Sequence, residues 1–210
     1  MKLIIVRHGQ AEHNVPGLMV GHGESALTEK GKSQVRDIAN RLRDEHIDGA
    51  FSSDLERAVQ TAQGILQFHP NVKLEKTAAL REQMFGDLER TTKDNFAAKV
   101  KEAGVAWFAY TPPGGESMFE TKSRAATFSS SILEEWKGKT VLIVSHGGFI
   151  RALVCHLLGI DFDEFPKKSY NTGLTIIEVD EDGQHHVHLL NDGSHLPEVT
   201  DSIGEEKART

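Results

Sequence analysis

Two arginines, two histidines and a glutamate stand out in this chain for the chemistry they can do. Arg7 and His8 close an apolar run in "LIIVRHGQAEHN", Arg57 lies in "AFSSDLERAVQTA", His146 closes "VLIVSHGG", and Glu82 sits in "LREQMFGDLE". A guanidinium group offers a planar fork of donors that matches phosphate oxygens. An imidazole with a free lone pair is a nucleophile toward phosphorus. His8 is the candidate nucleophile, because the strand before it fixes its position and Gly9 leaves room in front of it. His146 then becomes a second donor to the phosphoryl oxygens beside Arg7 and Arg57. The amides of the helix that starts at His146-Gly147 add partial positive charge. This is the electrostatic and positional work that phosphoryl transfer requires. A leaving alkoxide also needs a proton, and such an acid is worth roughly 10²- to 10⁴-fold in rate. Glu82 is the candidate, and on spacing alone Asp87, Glu89 and Glu116 rival it.

These side chains meet only if the chain delivers them to one place. "LIIVRHG", "AFSSDLERAVQTA" and "VLIVSHGG" each run from an apolar strand into polar or glycine residues, and the last two then enter a helix. In open α/β sheets, ligands sit beyond the carboxyl ends of the strands. Strands are predicted at Lys2–Val6, Ala50–Ser52, Val72–Leu74, Thr140–Val144, Leu174–Val179 and His186–Leu190. "LIIV" and "TVLIV" are continuous apolar runs, as expected of strands covered on both faces.

Helical periods lie between the strands. Thr28 caps one with Val35, Ile38, Ala39 and Leu42 inward. Asp54 caps a second with Ala58, Ala62, Ile65 and Leu66 inward, ending before Pro70. A third covers Lys93–Ala103 and a fourth Ser117–Lys137. A fifth begins after Gly148. The alternation predicts an α/β fold with a central, largely parallel sheet and helices on both faces. "YTPPGGES" is a loop. The stretch 81–116 is expected to pass over one end of the sheet. Residues 1–197 read as one domain and 198–210 as a polar tail that frays.

Composition narrows the function classes. The 210 residues carry a net charge of −7, which argues against a nucleic-acid surface. A local arginine cluster still suits a small anion. No apolar run reaches the length of a membrane span. Arg7 and His8 interrupt the first apolar run, so it does not read as a signal peptide. Cys155 is the sole cysteine, so no internal disulfide forms and a reducing, cytoplasmic compartment is expected. Its apolar neighbours Val154, Leu157 and Leu158 make it a core residue. His185, His186 and His188 lack a cysteine or carboxylate at ligand spacing, so no metal is expected there. Lys93, Lys99 and Lys101 either meet a second phosphate or form the solvated face of a helix. His13 and His22 lie near the first motif, with substrate contact left open.

"VRHG", "SSDLERAVQTA", "LRE" with "FGDLE", and "VSHGG" resemble, in order and spacing, the motifs of the histidine phosphatase (phosphoglycerate-mutase-like) superfamily, over residues 1 to about 195. The resemblance implies a three-layer α/β/α sandwich. It implies transient phosphorylation of His8, a phosphate pocket of Arg7, Arg57 and His146, and Glu82 as acid and base, with no metal or other cofactor. It also carries over Asn14, Gly21 and Gly147 as substrate-binding residues. The mutase branch has His-Tyr-Gly after the glutamate region and a longer basic insertion, whereas this chain reads Gln83-Met84-Phe85-Gly86. "FGDLE", "TPPGGES" and "NTGLTIIEV" look similar to the phosphatase branch, and especially to TIGAR-type fructose-2,6-bisphosphatases and to bacterial broad-specificity phosphatases. Where a glycine often follows the last acid of "FGDLE", this chain has Arg90. The expected activity is hydrolysis of small phosphomonoesters, such as sugar phosphates, sugar bisphosphates or phosphoglycerates. The expected partner is a small phosphorylated metabolite, not nucleic acid or a membrane. The alternatives are a phosphoglycerate mutase, a protein phosphatase and a non-catalytic signalling protein on the same fold.

Overall fold

The two apolar runs become the two central strands of a six-stranded sheet. β1 (Lys2–Arg7) and β4 (Thr140–Ser145) pair in parallel, with Ile4 opposite Leu142 and Arg7 opposite Ser145. β2 (Gly49–Ser53) pairs in parallel with β4 and with β3 (Leu74–Thr77). β5 (Leu174–Val179) and β6 (His185–Asp192) add an antiparallel pair on the other side, giving the order β3-β2-β4-β1-β5-β6. A computed structural model describes residues 1–14, 17–197 and 199, with the backbone alone for Asn14. The tail expected over 198–210 lies outside them except for Val199.

Side chains alternate across a strand, so each central strand supplies two cores. Leu3, Ile5, Val141 and Ile143 pack with α4 (Met118–Glu135) and α5 (Gly147–Leu158). Ile4, Val6, Leu142 and Val144 pack with α1 (Glu29–Leu42) and α2 (Glu56–Leu66). The result is the expected three-layer α/β/α architecture. Ile38, Leu42 and Ile65 are at most 1% exposed, and each such burial contributes about 1.5–3 kcal/mol. Cys155 is fully buried in the α5 core. Among the described residues, no helix is long and apolar enough to cross a membrane.

Local signals account for most helix starts. Thr28 accepts from the Gly31 amide, and Ser117 and Glu120 form a reciprocal capping box. Thr92 caps α3 (Lys93–Ala103), which ends at Gly104 with φ +66°. The second helix differs from expectation. Its N-cap is Leu55, with no side-chain cap bond, because the Asp54 carboxylate is taken by a two-bond fork from Arg81 at 2.7 and 2.6 Å. β3 begins at Leu74 instead of ending there. It is an edge strand whose "LEKT" is half exposed, so no apolar alternation marked it.

β1, β2 and β4 run in parallel, so their carboxyl ends at Arg7, Ser53 and Ser145 share one edge of the sheet. The His8 amide donates to the Ser145 carbonyl at 2.9 Å, which ties the first and fourth strand ends together.

Candidate active site

His8 lies one residue past β1, and its side chain is all but buried. Its Nδ1 is 2.7 Å from the Gly9 carbonyl oxygen. A carbonyl only accepts, so Nδ1 carries the proton and Nε2 presents a lone pair. Burial, then the charges of Arg7 and Arg57, hold the imidazole well below its ordinary pKa, so it is neutral and nucleophilic. Gly9 serves a different purpose from the one expected. A Cβ there would meet the Gly31 carbonyl of α1 at 2.8 Å, and the Gly9 amide donates to Thr61 Oγ1 at 3.0 Å. The glycine lets the backbone after His8 lie against α1 and α2; it does not clear space in front of the ring.

Arg7 donates to the Ser169 carbonyl at 2.8 Å, and its buried Nε has no protein partner. Arg57, on the first turn of α2, is 2% exposed and donates to the Gly21 and Gly23 carbonyls at 2.8 and 2.7 Å. Each terminal nitrogen of Arg57 keeps a second N–H. Burial lowers both guanidinium groups, and Glu82 opposes that shift; both remain cations. His146 is completely buried behind the floor, its ring centroid 5.0 Å from that of His8. Neither of its ring nitrogens has a protein partner. Burial, followed by Arg57, holds it neutral, so it offers one N–H donor. Buried donors without partners are costly unless something accepts from them. Arg7, which lines the cavity, thus has a donor open to an acceptor there, whereas the His146 ring lies behind the lining residues.

The Glu82 carboxylate accepts from the Gln83, Gly148 and Phe149 amides at 2.9, 3.1 and 3.0 Å. This corrects one expectation: the amides of Gly148 and Phe149 at the start of α5 face Glu82, not a substrate phosphate. A helix N-terminus prefers a negative partner, and Glu82 occupies that role. A Cβ on Gly148 would stand 2.5 Å from Glu82 Oε1, so the glycine permits the contact. Gly147 lines the cavity beside Arg7 and Ser169.

The cavity over these groups measures about 730 Å³. Arg7, His8, Gly21, Arg57, Glu82 and Gly147 line it, and Glu82 is the one carboxylate among its described lining residues. The rival acids are placed elsewhere. Asp87 is exposed and away from the cavity, Glu89 accepts from the His22 amide at 2.9 Å, and Glu116 pairs with Arg124 at 2.8 Å. The side chain of Asn14, the remaining candidate contact, lies outside the described residues. His22 donates from Nε2 to the Glu82 carbonyl at 2.9 Å, and neither it nor His13 lines the cavity. Lys93 reaches the rim, Lys99 pairs with Glu102 at 2.7 Å, and Lys101 lies off the cavity. His186 and His188 bond separate carboxylates, Asp180 at 2.8 Å and Glu178 at 2.9 Å. Among the described residues no three His, Cys, Asp or Glu side chains are grouped to hold a metal.

Two supporting features were missed in the sequence. Arg124 donates to the carbonyls of Ala79, Arg81 and Glu82 at 2.9, 2.7 and 3.2 Å, and to both oxygens of Glu116 at 3.2 and 2.8 Å. Glu116 in turn accepts from the Met84 amide at 3.1 Å. Together they hold the backbone on both sides of Glu82. The available signal was an arginine flanked at i−3 and i+4 by the inward residues Thr121 and Phe128. The second feature is the segment Ser169–Gly173. Asn171 Nδ2 donates to the His8 carbonyl at 3.1 Å, and the Thr172 amide to the Arg7 carbonyl at 3.1 Å.

A neutral imidazole presenting Nε2, the guanidinium groups of Arg7 and Arg57 and one oriented carboxylate share this cavity. Residues 3–193 match the histidine phosphatase superfamily (branch 1), and the chain belongs to that family. It is 34% identical over 206 residues to a probable phosphatase from Schizosaccharomyces pombe, covering 93% of this chain and 95% of that protein. It is 35% identical over 185 residues to a 2,3-bisphosphoglycerate-dependent phosphoglycerate mutase from Bartonella henselae, covering 83% and 90%. Among solved structures, Bacillus stearothermophilus YhfR superposes with a TM-score of 0.83 at 32% identity, covering 92% of this chain and 98% of that one. The curated relatives thus include both phosphatases and mutases.

Proposed function

We propose that the protein is a metal-independent phosphatase that hydrolyses small phosphomonoesters through a phosphohistidine on His8. The observation that carries this reading is the Nε2 lone pair of His8, free beside Arg7 and Arg57, with Glu82 as the one carboxylate on the same cavity. In the first step the Nε2 lone pair forms the P–N bond as the ester P–O bond breaks. The leaving oxygen takes its proton by way of Glu82, the proton entering with the phosphomonoester monoanion. In the second step a water oxygen adds to phosphorus, its proton passes to the Glu82 carboxylate, and the P–N electrons return to Nε2. Arg7, Arg57 and the His146 N–H stabilise the charge on the equatorial oxygens throughout. No step calls for a metal, because the cationic donors are supplied by side chains.

A mutase reading is favoured by the relatives that carry that name. It differs in one step: the phosphoryl group returns to a second hydroxyl instead of to water. One experiment separates the two. The purified protein is incubated in excess chelator with fructose 2,6-bisphosphate, 2,3-bisphosphoglycerate, 3-phosphoglycerate and simple monophosphates, and products are followed by phosphorus NMR. Net inorganic phosphate supports the phosphatase. Interconversion of phosphoglycerates without net phosphate supports the mutase. Dependence on added metal refutes the proposed chemistry.

A further inference from the structure

Among the described residues, three that are not glycine have a left-handed backbone: Arg90, Thr172 and Asn191. Two of them belong to one structure behind the nucleophile. Thr172 is fully buried at φ +55°, and a β-branched side chain is an outlier there. Strained residues persist only where their surroundings over-determine them, and they cluster at functional sites. The segment Ser169–Gly173 therefore does more than join α5 to β5.

This segment is pinned on two sides. Toward the site, the Thr172 amide is shared between the Arg7 and His8 carbonyls at 3.1 and 3.3 Å, and Asn171 Nδ2 reaches the His8 carbonyl at 3.1 Å. Behind it, Asn191, at φ +50°, accepts from the Tyr170 amide at 3.2 Å and donates to the Lys168 carbonyl at 2.7 Å. The Thr172 hydroxyl donates to the Asn171 carbonyl at 2.7 Å, so its oxygen accepts from His195 Nε2 at 3.0 Å. The other ring nitrogen of His195 is buried without a protein partner, so the bond to Thr172 is the hydrogen bond this ring makes.

The consequence falls on the His8–Gly9 peptide. Its oxygen is held by Asn171 and Thr172, and its N–H by Thr61 Oγ1 at 3.0 Å. That plane sets where the next carbonyl, of Gly9, points, and this carbonyl keeps the proton of the His8 ring on Nδ1. A turn of the plane would release the ring to its other tautomer, with the proton on Nε2 and no lone pair on that nitrogen.

We infer that His195 is a positioning residue for the nucleophile: through Thr172 it holds the backbone of Asn171 and Thr172 against the His8 carbonyl, and so keeps the His8 ring in its Nδ1–H form. The inference rests on the phosphatase reading for its catalytic meaning, but the ring can be observed without turnover. Long-range proton–nitrogen NMR separates the two neutral tautomers, and the His8 signals are assigned by their loss in His8→Gln. His195→Leu removes the donor. It is expected to turn His8 from the Nδ1–H form into a mixture of tautomers and to lower turnover about 10- to 100-fold. The loss should be equal for an alkyl phosphate and p-nitrophenyl phosphate, because the same nitrogen attacks both. His195→Gln, whose amide places a donor near the position of Nε2, is expected to restore the tautomer and most of the turnover. Thr172→Val, which keeps the shape and removes the hydroxyl, provides the same readouts should His195→Leu fail to fold, as checked by circular dichroism. Native His8 signals in either folded variant overturn the inference, as does a His195→Gln protein as impaired as His195→Leu. A loss confined to the alkyl phosphate also overturns it, by placing the effect on Glu82. Phosphate release by the native protein is measured alongside. A tautomer change in His195→Leu with no release from the native protein refutes the phosphatase reading and keeps the positioning role, whereas release with unmoved His8 signals does the reverse.

Discussion

Replacing Arg124 tests whether Glu82 acts because it is held in place. Arg124 does not touch the cavity floor, yet its guanidinium group makes five hydrogen bonds that fix the carbonyls of Ala79, Arg81 and Glu82 and the Glu116 carboxylate. Arg124→Gln keeps much of the side-chain volume but leaves Glu116 without its cation. Breaking a fully buried ion pair costs about 3–5 kcal/mol, and an exposed one about 0–1. The two side chains are 20% and 21% exposed, between those limits. A loss of about 2–3 kcal/mol follows, which lowers Tm by about 5–10 °C in a chain of this size. The catalytic effect is separable from that loss. A displacement of about 1 Å at the reacting groups can cost 10²-fold. Here it falls on the proton donor, so turnover of an alkyl phosphate should drop about 100-fold. p-Nitrophenyl phosphate, whose leaving group needs little protonation, should lose only a few-fold. Both rates are measured well below the lowered Tm. Equal losses on the two substrates would refute the positioning role and leave Arg124 as a purely structural residue.

His8→Ala should abolish turnover, and native enzyme quenched during turnover should yield a phosphoenzyme that is lost in acid; near-normal activity of the variant removes His8 as nucleophile. Glu82→Gln should reproduce the Arg124→Gln leaving-group split in a sharper form, toward the upper end of the roughly 10²- to 10⁴-fold range for acid–base help; equal losses would move the proton to another donor. Stability should fall on the acid side. His8 and His146 are held well below their ordinary value by burial and then by Arg7 and Arg57, whereas in the unfolded chain they protonate near about 6.5. The unfolded state therefore binds more protons below that value. The stability tied to these two groups is intact above about pH 6.5 and is lost as pH falls toward their folded values. Thermal melts across pH 8 to 5 check this, and a Tm that does not move contradicts the assigned protonation. Arg90 has φ +62°, a conformation that costs an ordinary residue about 1–2 kcal/mol. Part of that is offset by the flexibility a glycine adds to the unfolded chain. Arg90→Gly should therefore raise Tm by about 2–4 °C; a lower Tm would show that the arginine side chain contributes more than the strain costs.

The arginine and histidine end of the cavity was legible because strand termination is a local property. Arg7, His8 and His146 each follow an unbroken apolar run, and parallel pairing of β1, β2 and β4 carries those run-ends to one edge. Arg57 follows for the same reason, one turn beyond β2. Local rules failed where a distant partner competed for the same group. Asp54 has the composition and position of a helix cap, but Arg81 takes its carboxylate with two bonds. The α5 amides have the position of a phosphate cradle, but the Glu82 carboxylate, from a loop distant in sequence, occupies them. Choosing Glu82 over Asp87, Glu89 and Glu116 also needed three dimensions. All four acids occur in loops of similar composition, and only partners far along the chain separate them.

The α3 side of the cavity was illegible for a more general reason. Helical period says that Phe96 and Val100 share a face, but it does not say what that face meets. The same i, i+4 pattern appears in α1 and α2, where it buries residues such as Ile38, Leu42 and Ile65 against the sheet. What distinguishes α3 is its place in the chain. It lies in a stretch that leaves the sheet after β3 and returns only at α4, so no strand lies beneath it to receive its stripe. A helix carried over the carboxyl end of a parallel sheet can turn its apolar side only toward the site it covers. The same detour that carries Glu82 to the α5 amides thus also supplies apolar residues of the cavity lining. The lining from α3 and its flanking loops can then vary in sequence while the strand ends that carry Arg7 and His8 stay fixed by the sheet.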